Sequence, residues 1–303
     1  MRQFRDNRTN DSPLREISNN FTVEMEAIVN NSSSTLSTIP HYSIVFNFEN
    51  EFDQQVKKEW MKNYWQLSLY SVSVYMIFIF AGRAYMKSRP PFDLRRILTV
   101  WNIVLAVFSI MGTLRTMPEF LHVIREFGLT FSVCNPTFMQ HTKVSGFWAW
   151  MFTLSKISEL GDTVFIVLRK QKLIFLHWYH HITVLLFVWY TYTEYLGPAR
   201  WFMVMNYFVH SFMYSYYALR ALRISVPKFV AQAITTVQIV QMFAGCFVCF
   251  WAYRTKLRGE FCQISMRSSH LAILMYVSYL VLFSRFFYNS YLKPKQDRMK
   301  KLE

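Results

Sequence analysis

Charge is what this chain has least of. Only 17% of its 303 residues are Asp, Glu, Lys or Arg, where soluble domains carry about 25%. Acidic residues are the scarcer kind, 18 against 33 Lys and Arg, which gives a formal net charge of +15. Cysteine is scarce too, and four residues exclude a disulfide-dense secreted module. The first 60 residues hold no apolar core of a signal peptide, so the first span is expected to insert as its own anchor. Apolar residues are abundant: 53% of the chain is hydrophobic, in long runs that exclude disorder for its body. A basic balance of this size suits nucleic acid, but apolar runs between the charges do not, and no nucleic-acid partner is expected. The pattern is that of an integral membrane protein with basic loops on one side.

Seven stretches reach the roughly 20 mostly apolar residues of a helical span: 67–86, 97–117, 145–168, 173–192, 201–219, 229–253 and 268–291. Between the first two spans and the last five, 119–143 carries an apolar stripe of Phe120, Leu121, Val123, Ile124 and Phe127, suited to a re-entrant or interfacial piece. Segments 87–96, 169–172, 220–228 and 292–303 hold 15 Lys and Arg, and 119–143, 193–200 and 254–267 hold 7. The first set is therefore cytosolic, which places the N-terminus in the lumen and the C-terminus in the cytosol.

Three regions follow: a polar lumenal tail at 1–60, a seven-helix membrane domain at 61–291 and a basic cytosolic tail at 292–303. Sequons at Asn7, Asn10, Asn20, Asn30 and Asn31 agree with a lumenal tail and with a glycoprotein. Trp60, Tyr64 and Trp65 suggest an interfacial helix before the first span. Lys300 and Lys301, fourth and third from the end, resemble a dilysine signal for retrieval to the endoplasmic reticulum.

Ionisable groups inside a span are costly and point to function. Lys156, Glu159 and Thr163 share one face of the third span, with Asp162 beside them. His177, His180 and His181 share a face of the fourth. Asn206, His210, Met213, Tyr214 and Tyr217 follow in the fifth, and Thr235, Gln238 and Gln241 in the sixth. At 1.5 Å per residue, His180 lies about 11 Å inside its cytosolic end, His210 and Gln238 about 13 Å, and Lys156 about 18 Å. One such residue reads as interhelical glue; a layer of them reads as a reaction chamber.

Histidines suggest metal first. His177-x-x-His180-His181 resembles a box of the membrane di-iron desaturases and hydroxylases. Of the eight histidines, however, His41, His122, His141 and His270 fall in lumenal segments or near a lumenal end. The remaining four, with few carboxylates beside them, are too few for two irons; a mononuclear zinc site stays open by ligand count. Nucleophilic catalysis is the second candidate. Neutral imidazole attacks activated acyl groups such as thioesters and leaves a reactive acyl-imidazole, while a second histidine moves protons. Cysteine is not available as nucleophile, since Cys134 and Cys262 fall in lumenal loops and Cys246 and Cys249 toward a lumenal helix end. A seven-helix receptor is the third candidate, but no Asp-Arg-Tyr or Asn-Pro-x-x-Tyr sequence ends the third or seventh span.

Four boxes stand in order: Lys156-Ile-Ser-Glu159-Leu-Gly-Asp162-Thr163, His177-Trp-Tyr-His180-His181, Asn206-Tyr-Phe-Val-His210-Ser-Phe-Met213-Tyr214-Ser-Tyr216-Tyr217 and Thr235-Thr-Val-Gln238-Ile-Val-Gln241. Over about residues 60–292 the chain resembles the very-long-chain fatty acid elongases, the 3-oxoacyl-CoA synthases. The stretch Leu168–Tyr179 looks like the branch that acts on saturated and monounsaturated acyl-CoAs of about palmitoyl length. The resemblance implies an all-α integral membrane protein of the endoplasmic reticulum, with seven transmembrane helices, two to seven forming a barrel around an acyl-chain tunnel. It implies an acyltransferase that joins acyl-CoA to malonyl-CoA, giving 3-oxoacyl-CoA, CO2 and CoA. No metal or redox cofactor is expected. Membrane lipid surrounds such a protein, and the ketoacyl-CoA reductase, dehydratase and enoyl reductase of the cycle are its implied partners; oligomeric state is left open, a homodimer included.

In this reading His180 attacks the thioester and His210 acts as acid–base partner or holds the carbonyl oxygen. His177 and His181 orient or polarise, and Asn206, Tyr214 and Gln238 offer hydrogen bonds to an oxyanion. Lys156, Glu159 and Asp162 form a charge network that fixes the third helix. Arg169, Lys170, Lys172, Arg220, Arg223 and Lys228 rim the cytosolic mouth, with Lys172 and Arg223 among those assigned to CoA. Arg285, about 9 Å inside the last span, is expected to face the tunnel and contact CoA or a carboxylate. Trp148, Phe152, Trp189, Trp201 and Phe202 are candidates for the tunnel floor, where bulk rejects longer chains by clash. Cys134 and Cys262, the two cysteines of the oxidising side, are expected to pair, while Cys246 and Cys249 read as packing residues.

Overall fold

The computed structural model describes residue 40 and residues 42–293, and among them every regular element is helical. The order is α1 (Asn47–Asn50), α2 (Gln54–Tyr64), α3 (Leu67–Lys87), α4 (Arg95–Cys134), α5 (Thr137–Gln140), α6 (Lys143–Ser158), α7 (Gly161–Leu168), α8 (Phe175–Thr191), α9 (Ala199–Ala221), α10 (Lys228–Leu257) and α11 (Met266–Phe287). The chain then runs into a π-helical turn at Tyr288–Leu292. The five sequons, His41, Lys300 and Lys301 lie outside the described residues.

The expectation of seven spans, and of a barrel built from six of them, is corrected. Among the described residues four helices are long and apolar enough to cross a membrane: Leu67–Lys87, Arg95–Cys134, Lys228–Leu257 and Met266–Leu292. The reasons are local. The stretch 145–168 is not one helix but α6 and α7, of 16 and 8 residues, joined through Glu159 and Leu160. There the backbone tightens to i→i+3 bonds, Leu160 N to Ile157 O, Asp162 N to Glu159 O and Thr163 N to Leu160 O. Helix α8 has only 17 residues. Helix α9 has 23, but buries Arg200 and Asn206 among its apolar residues. With four membrane-crossing helices the chain is a multi-pass membrane protein. On α3 the exposed face is a stripe of Tyr70, Val74, Ile77 and Phe80, each about two-thirds exposed, as lipid contact requires.

The stretch 47–60, grouped with the polar tail in the sequence reading, is largely helical and packs onto the body. Asp53 caps α2 by accepting from Val56 N. Glu49 of α1 is fully buried and takes hydrogen bonds from Arg115 Nε (2.9 Å) and Nη2 (2.6 Å) and from Trp148 Nε1 (2.8 Å). Burial pushes its carboxyl up, but these donors and the Phe46 amide outweigh burial and hold it below the usual range.

Helix α9 packs along α4, α10 packs against α11, and α8 is flanked by α6 and α11. At the far end of α4 from Arg95, Cys134 is joined to Cys262 by a disulfide. Gly197 N donates to Gln263 O, and Gln263 N to Cys134 O, each at 2.9 Å. A Cβ at Gly197 would run into the backbone of Cys134, so only glycine permits this approach of three segments. Buried Cys246 and Cys249 are free thiols in the α10 core.

Candidate functional site

A cavity of about 540 Å³ opens among α4, α7, α8, α9, α10 and α11. His177, His180, His181, Asn206, His210, Tyr214, Gln238 and Asp162 all line it. The three α8 histidines reach it together because positions i, i+3 and i+4 share a helix face. Their rings touch: His177 and His181 are 4.5 Å apart between centroids, His180 and His181 5.5 Å.

Each histidine is held differently. His177 Nε2 meets Thr163 Oγ1 at 2.9 Å, and Thr163 Oγ1 meets Tyr75 Oη of α3 at 2.7 Å. His181 Nδ1 is buried and has no hydrogen-bond partner among the described residues. His210 Nε2 faces Asn206 Nδ2 at 3.1 Å, and its Nδ1 lies 3.8 Å from Glu159 Oε1. His180 lies beside the rings of Tyr279 and Phe283 of α11.

The expected three-membered charge network is two units. Lys156 and Glu159 are buried and paired, Nζ to Oε1, at 2.6 Å, with a second Lys156 bond to Asn206 Oδ1 at 2.9 Å. Asp162 instead accepts from Trp101 Nε1 (2.7 Å) and Tyr214 Oη (2.9 Å). The Tyr214 proton is thus committed to Asp162, which leaves it little to offer an oxyanion. Gln238 Nε2 rests on Met213 Sδ at 3.3 Å, a weak acceptor, and is the freer donor.

Of the basic residues expected around the cavity mouth, Arg169 and Arg220 line the cavity, and Arg95 joins them. Lys172, Arg223 and Arg285 do not line it and are exposed. The Arg285 expectation is corrected because α11 turns Phe283 and Phe286, three apart, toward the cavity and Arg285 away from it. None of the three arginines of the mouth has a carboxylate within ion-pair distance among the described residues. Arg95 donates to the Ala221 carbonyl at 2.6 Å, tying the start of α4 to the end of α9.

A second, smaller cavity continues from the first. His180, Asn206, Gln241 and Met242 line both. Apart from Thr153 and Thr191, the rest of its wall is apolar or aromatic, including Phe138, Phe152, Phe187, Phe202 and Tyr276. Of the proposed floor residues, Phe152 and Phe202 line it, while Trp148, Trp189 and Trp201 do not. Among the described residues no group of three or more His, Cys, Asp or Glu is arranged to hold a metal ion, so the metalloenzyme alternative finds no ligand set there.

Sequence reasoning missed Tyr75, Trp101, Arg95 and the pair of buried ion pairs Glu49–Arg115 and Glu119–Arg200. Tyr75 and Trp101 sit in apolar runs, where nothing marks one ring as a hydrogen-bonding partner.

A family model described as ELO: GNS1/SUR4 family matches residues 60–299. The chain is 52% identical over 269 residues to "Very long chain fatty acid elongase 6" of Drosophila melanogaster, covering 88% of this chain and 85% of that one. It is 43% identical over 274 residues to "Putative fatty acid elongase 3" of Caenorhabditis elegans, with 88% and 85% covered. Against "Very long chain fatty acid elongase 6" of Homo sapiens it is 47% identical over 247 residues, with 82% and 92% covered.

Proposed function

The chain belongs to the GNS1/SUR4 family of elongases, and from that premise we propose that it works through an acyl-enzyme on His180. It is a condensing elongase: it joins an acyl-CoA to malonyl-CoA and releases CO2 and CoA. The observation that carries the proposed path is the place of His180, on the wall of both the polar cavity and its apolar continuation. An acyl chain in the apolar part would bring its thioester to this imidazole, with CoA toward Arg95, Arg169 and Arg220.

In the first stage an unprotonated His180 nitrogen attacks the thioester carbonyl. The C–S bond breaks, and CoA leaves with a proton. In the second, malonyl-CoA loses CO2, its enolate carbon attacks the acyl carbonyl, the acyl C–N bond breaks, and the departing imidazole nitrogen takes up a proton from solvent to restore neutral His180. Gln238 is placed to donate to the carbonyl oxygen in both stages. His177, fixed by Thr163, and His181 shape the wall beside the nucleophile. Arg95, Arg169 and Arg220 suit the phosphates of CoA, to which guanidinium binds by charge-assisted bonds.

In this reading the protein resides in the endoplasmic reticulum membrane, with the cavity mouth toward the cytosol. Support comes from the disulfide, which joins the end of α4 far from Arg95 to the segment that follows α10 and suits an oxidising compartment. Long-chain saturated and monounsaturated acyl-CoAs are the proposed substrates. Its product then passes to the ketoacyl-CoA reductase, dehydratase and enoyl reductase of the cycle. Acyl-CoA supplied without malonyl-CoA is expected to give a burst of free CoA equal to the enzyme present; a purely concerted condensation gives none.

Chain length is proposed to be limited by the wall around Tyr276, whose ring lies against Phe202, 4.7 Å between centroids, and over Gly245. A Cβ at position 245 would collide with the Tyr276 ring. Gly245→Ala is therefore expected to push that ring into the smaller cavity, at about 1–3 kcal/mol for the longest chain that fits. The measurement is kcat/KM over a series of saturated acyl-CoAs. It should fall about tenfold or more for the longest substrate and little for shorter ones; a profile unchanged in shape refutes the assignment.

A further inference from the structure

The hydrogen bonds behind His210 run in one direction. Lys156 is an ammonium with three donors and no acceptor. It gives one bond to Glu159 Oε1 at 2.6 Å and one to Asn206 Oδ1 at 2.9 Å. The Asn206 oxygen is thereby committed, and its amide nitrogen must turn the other way, to His210 Nε2 at 3.1 Å. An amide NH2 donates and does not accept, so His210 Nε2 accepts and carries no proton. The ring proton of neutral His210 is left on Nδ1, the nitrogen that faces Glu159 Oε1 at 3.8 Å. All three residues of this relay are buried: Lys156 is 2% exposed, Glu159 3% and Asn206 8%.

We propose that Lys156 is a positioning residue that selects the tautomer of His210, through Asn206, and keeps Nε2 as its basic nitrogen in the resting enzyme. The inference rests on the reading of His210 as acid–base partner of His180. Its consequence is a direction for the proton. On acylation the His180 ring loses its N–H proton; the Asn206 amide gives up its bond to His210 Nε2, whose freed lone pair accepts the proton and returns it to the departing CoA thiolate. Acyl-CoA and neutral His180 thus give acyl-His180 and CoA–SH, with no proton left over. A His210 that began with its proton on Nε2 would offer an acid where this step needs a base. Asn206 then serves as the reversible end of the relay rather than as an oxyanion donor.

Nitrogen-15 NMR of histidine-labelled full-length protein in lipid separates protonated from unprotonated ring nitrogens, with the His210 signals assigned by their loss in His210→Gln. The wild type is expected to show His210 protonated on Nδ1 and unprotonated on Nε2. Asn206→Asp keeps the size of the side chain and the contact with Lys156 but presents only acceptors. It is expected to move the proton to Nε2 and to lower kcat by about 10²-fold or more, as a wrong tautomer does in a histidine-dependent triad. KM for acyl-CoA should stay within about twofold. The double substitution Lys156→Met, Glu159→Met removes both charges without stranding either and should give a mixture of the two tautomers. A wild-type spectrum with Nε2 protonated overturns the proposal, and that spectrum needs no variant to fold. So does a double variant with the wild-type pattern, or an Asn206→Asp enzyme with the reversed tautomer and full kcat. The tautomer is read with no substrate present, so its failure leaves acylation of His180 standing, and failure to form an acyl-enzyme leaves the tautomer standing.

Discussion

His180→Ala is expected to abolish the release of CoA from acyl-CoA alone and to lower condensation by at least about 10³-fold, on the scale seen when an enzymatic nucleophile is removed. The size follows from position. His180 is the histidine that lines both cavities, and alanine leaves the acyl carbonyl facing a space where no nucleophile has taken its place. Cysteine does not substitute, since Cys246 and Cys249 are buried in the core around α10 and Cys134 and Cys262 are bonded to one another. Binding should survive, because the apolar wall and the arginine mouth are unchanged. Acyl-CoA affinity measured on the inactive variant is therefore expected to stay near the wild-type value. A variant that still releases one equivalent of CoA, or loses only a few-fold in turnover, removes His180 from the role.

Glu119→Ala is expected to produce the largest loss of stability. Arg200 and Glu119 are both fully buried, with guanidinium and carboxylate 3.1 Å apart. Arg200 also donates to Ser132 O (2.6 Å), Asn135 O (2.8 Å) and Thr137 Oγ1 (2.7 Å), so one side chain holds α4, α5 and α9 to the turn beside the disulfide. Removing Glu119 leaves the guanidinium charged and unpaired, which costs about 3–5 kcal/mol. For a chain of this size that is a fall in Tm of about 6–20 °C. Glu119→Gln keeps an acceptor and should lose clearly less. Thermal unfolding in detergent, followed by loss of monodisperse protein, checks this; an unchanged midpoint for Glu119→Ala shows that the pair carries no net stability.

Helical spacing made part of the site legible. His177, His180 and His181 repeat at i, i+3 and i+4, as do Asn206 and His210 at i+4, and periodicity alone groups them by face. Partners across helices were not legible. A helical wheel sets Asp162 beside Lys156, yet the carboxylate turns to Trp101 of α4 and Tyr214 of α9. Depth along a helix gives no azimuth, which is why Arg285 was assigned to a cavity that Phe283 and Phe286 face instead. Hydropathy counts apolar residues without seeing a break, so 145–168 read as one span although its backbone tightens at Glu159 and Leu160. Loop cations entered the sequence reading as tokens of topology. For Arg200 that reading hid a buried partner, Glu119, 81 residues away.

The central claim is a covalent acyl group on His180, and mass spectrometry of the wild-type protein tests it most directly. Protein incubated with a long-chain saturated acyl-CoA and no malonyl-CoA is digested and mapped under conditions that preserve acyl-imidazoles. The result predicted is one acyl group per chain, carried on the peptide that contains His180 and discharged as 3-oxoacyl-CoA when malonyl-CoA is added. An unmodified protein that nevertheless turns over with both substrates, or an acyl group that maps to any other residue, contradicts it.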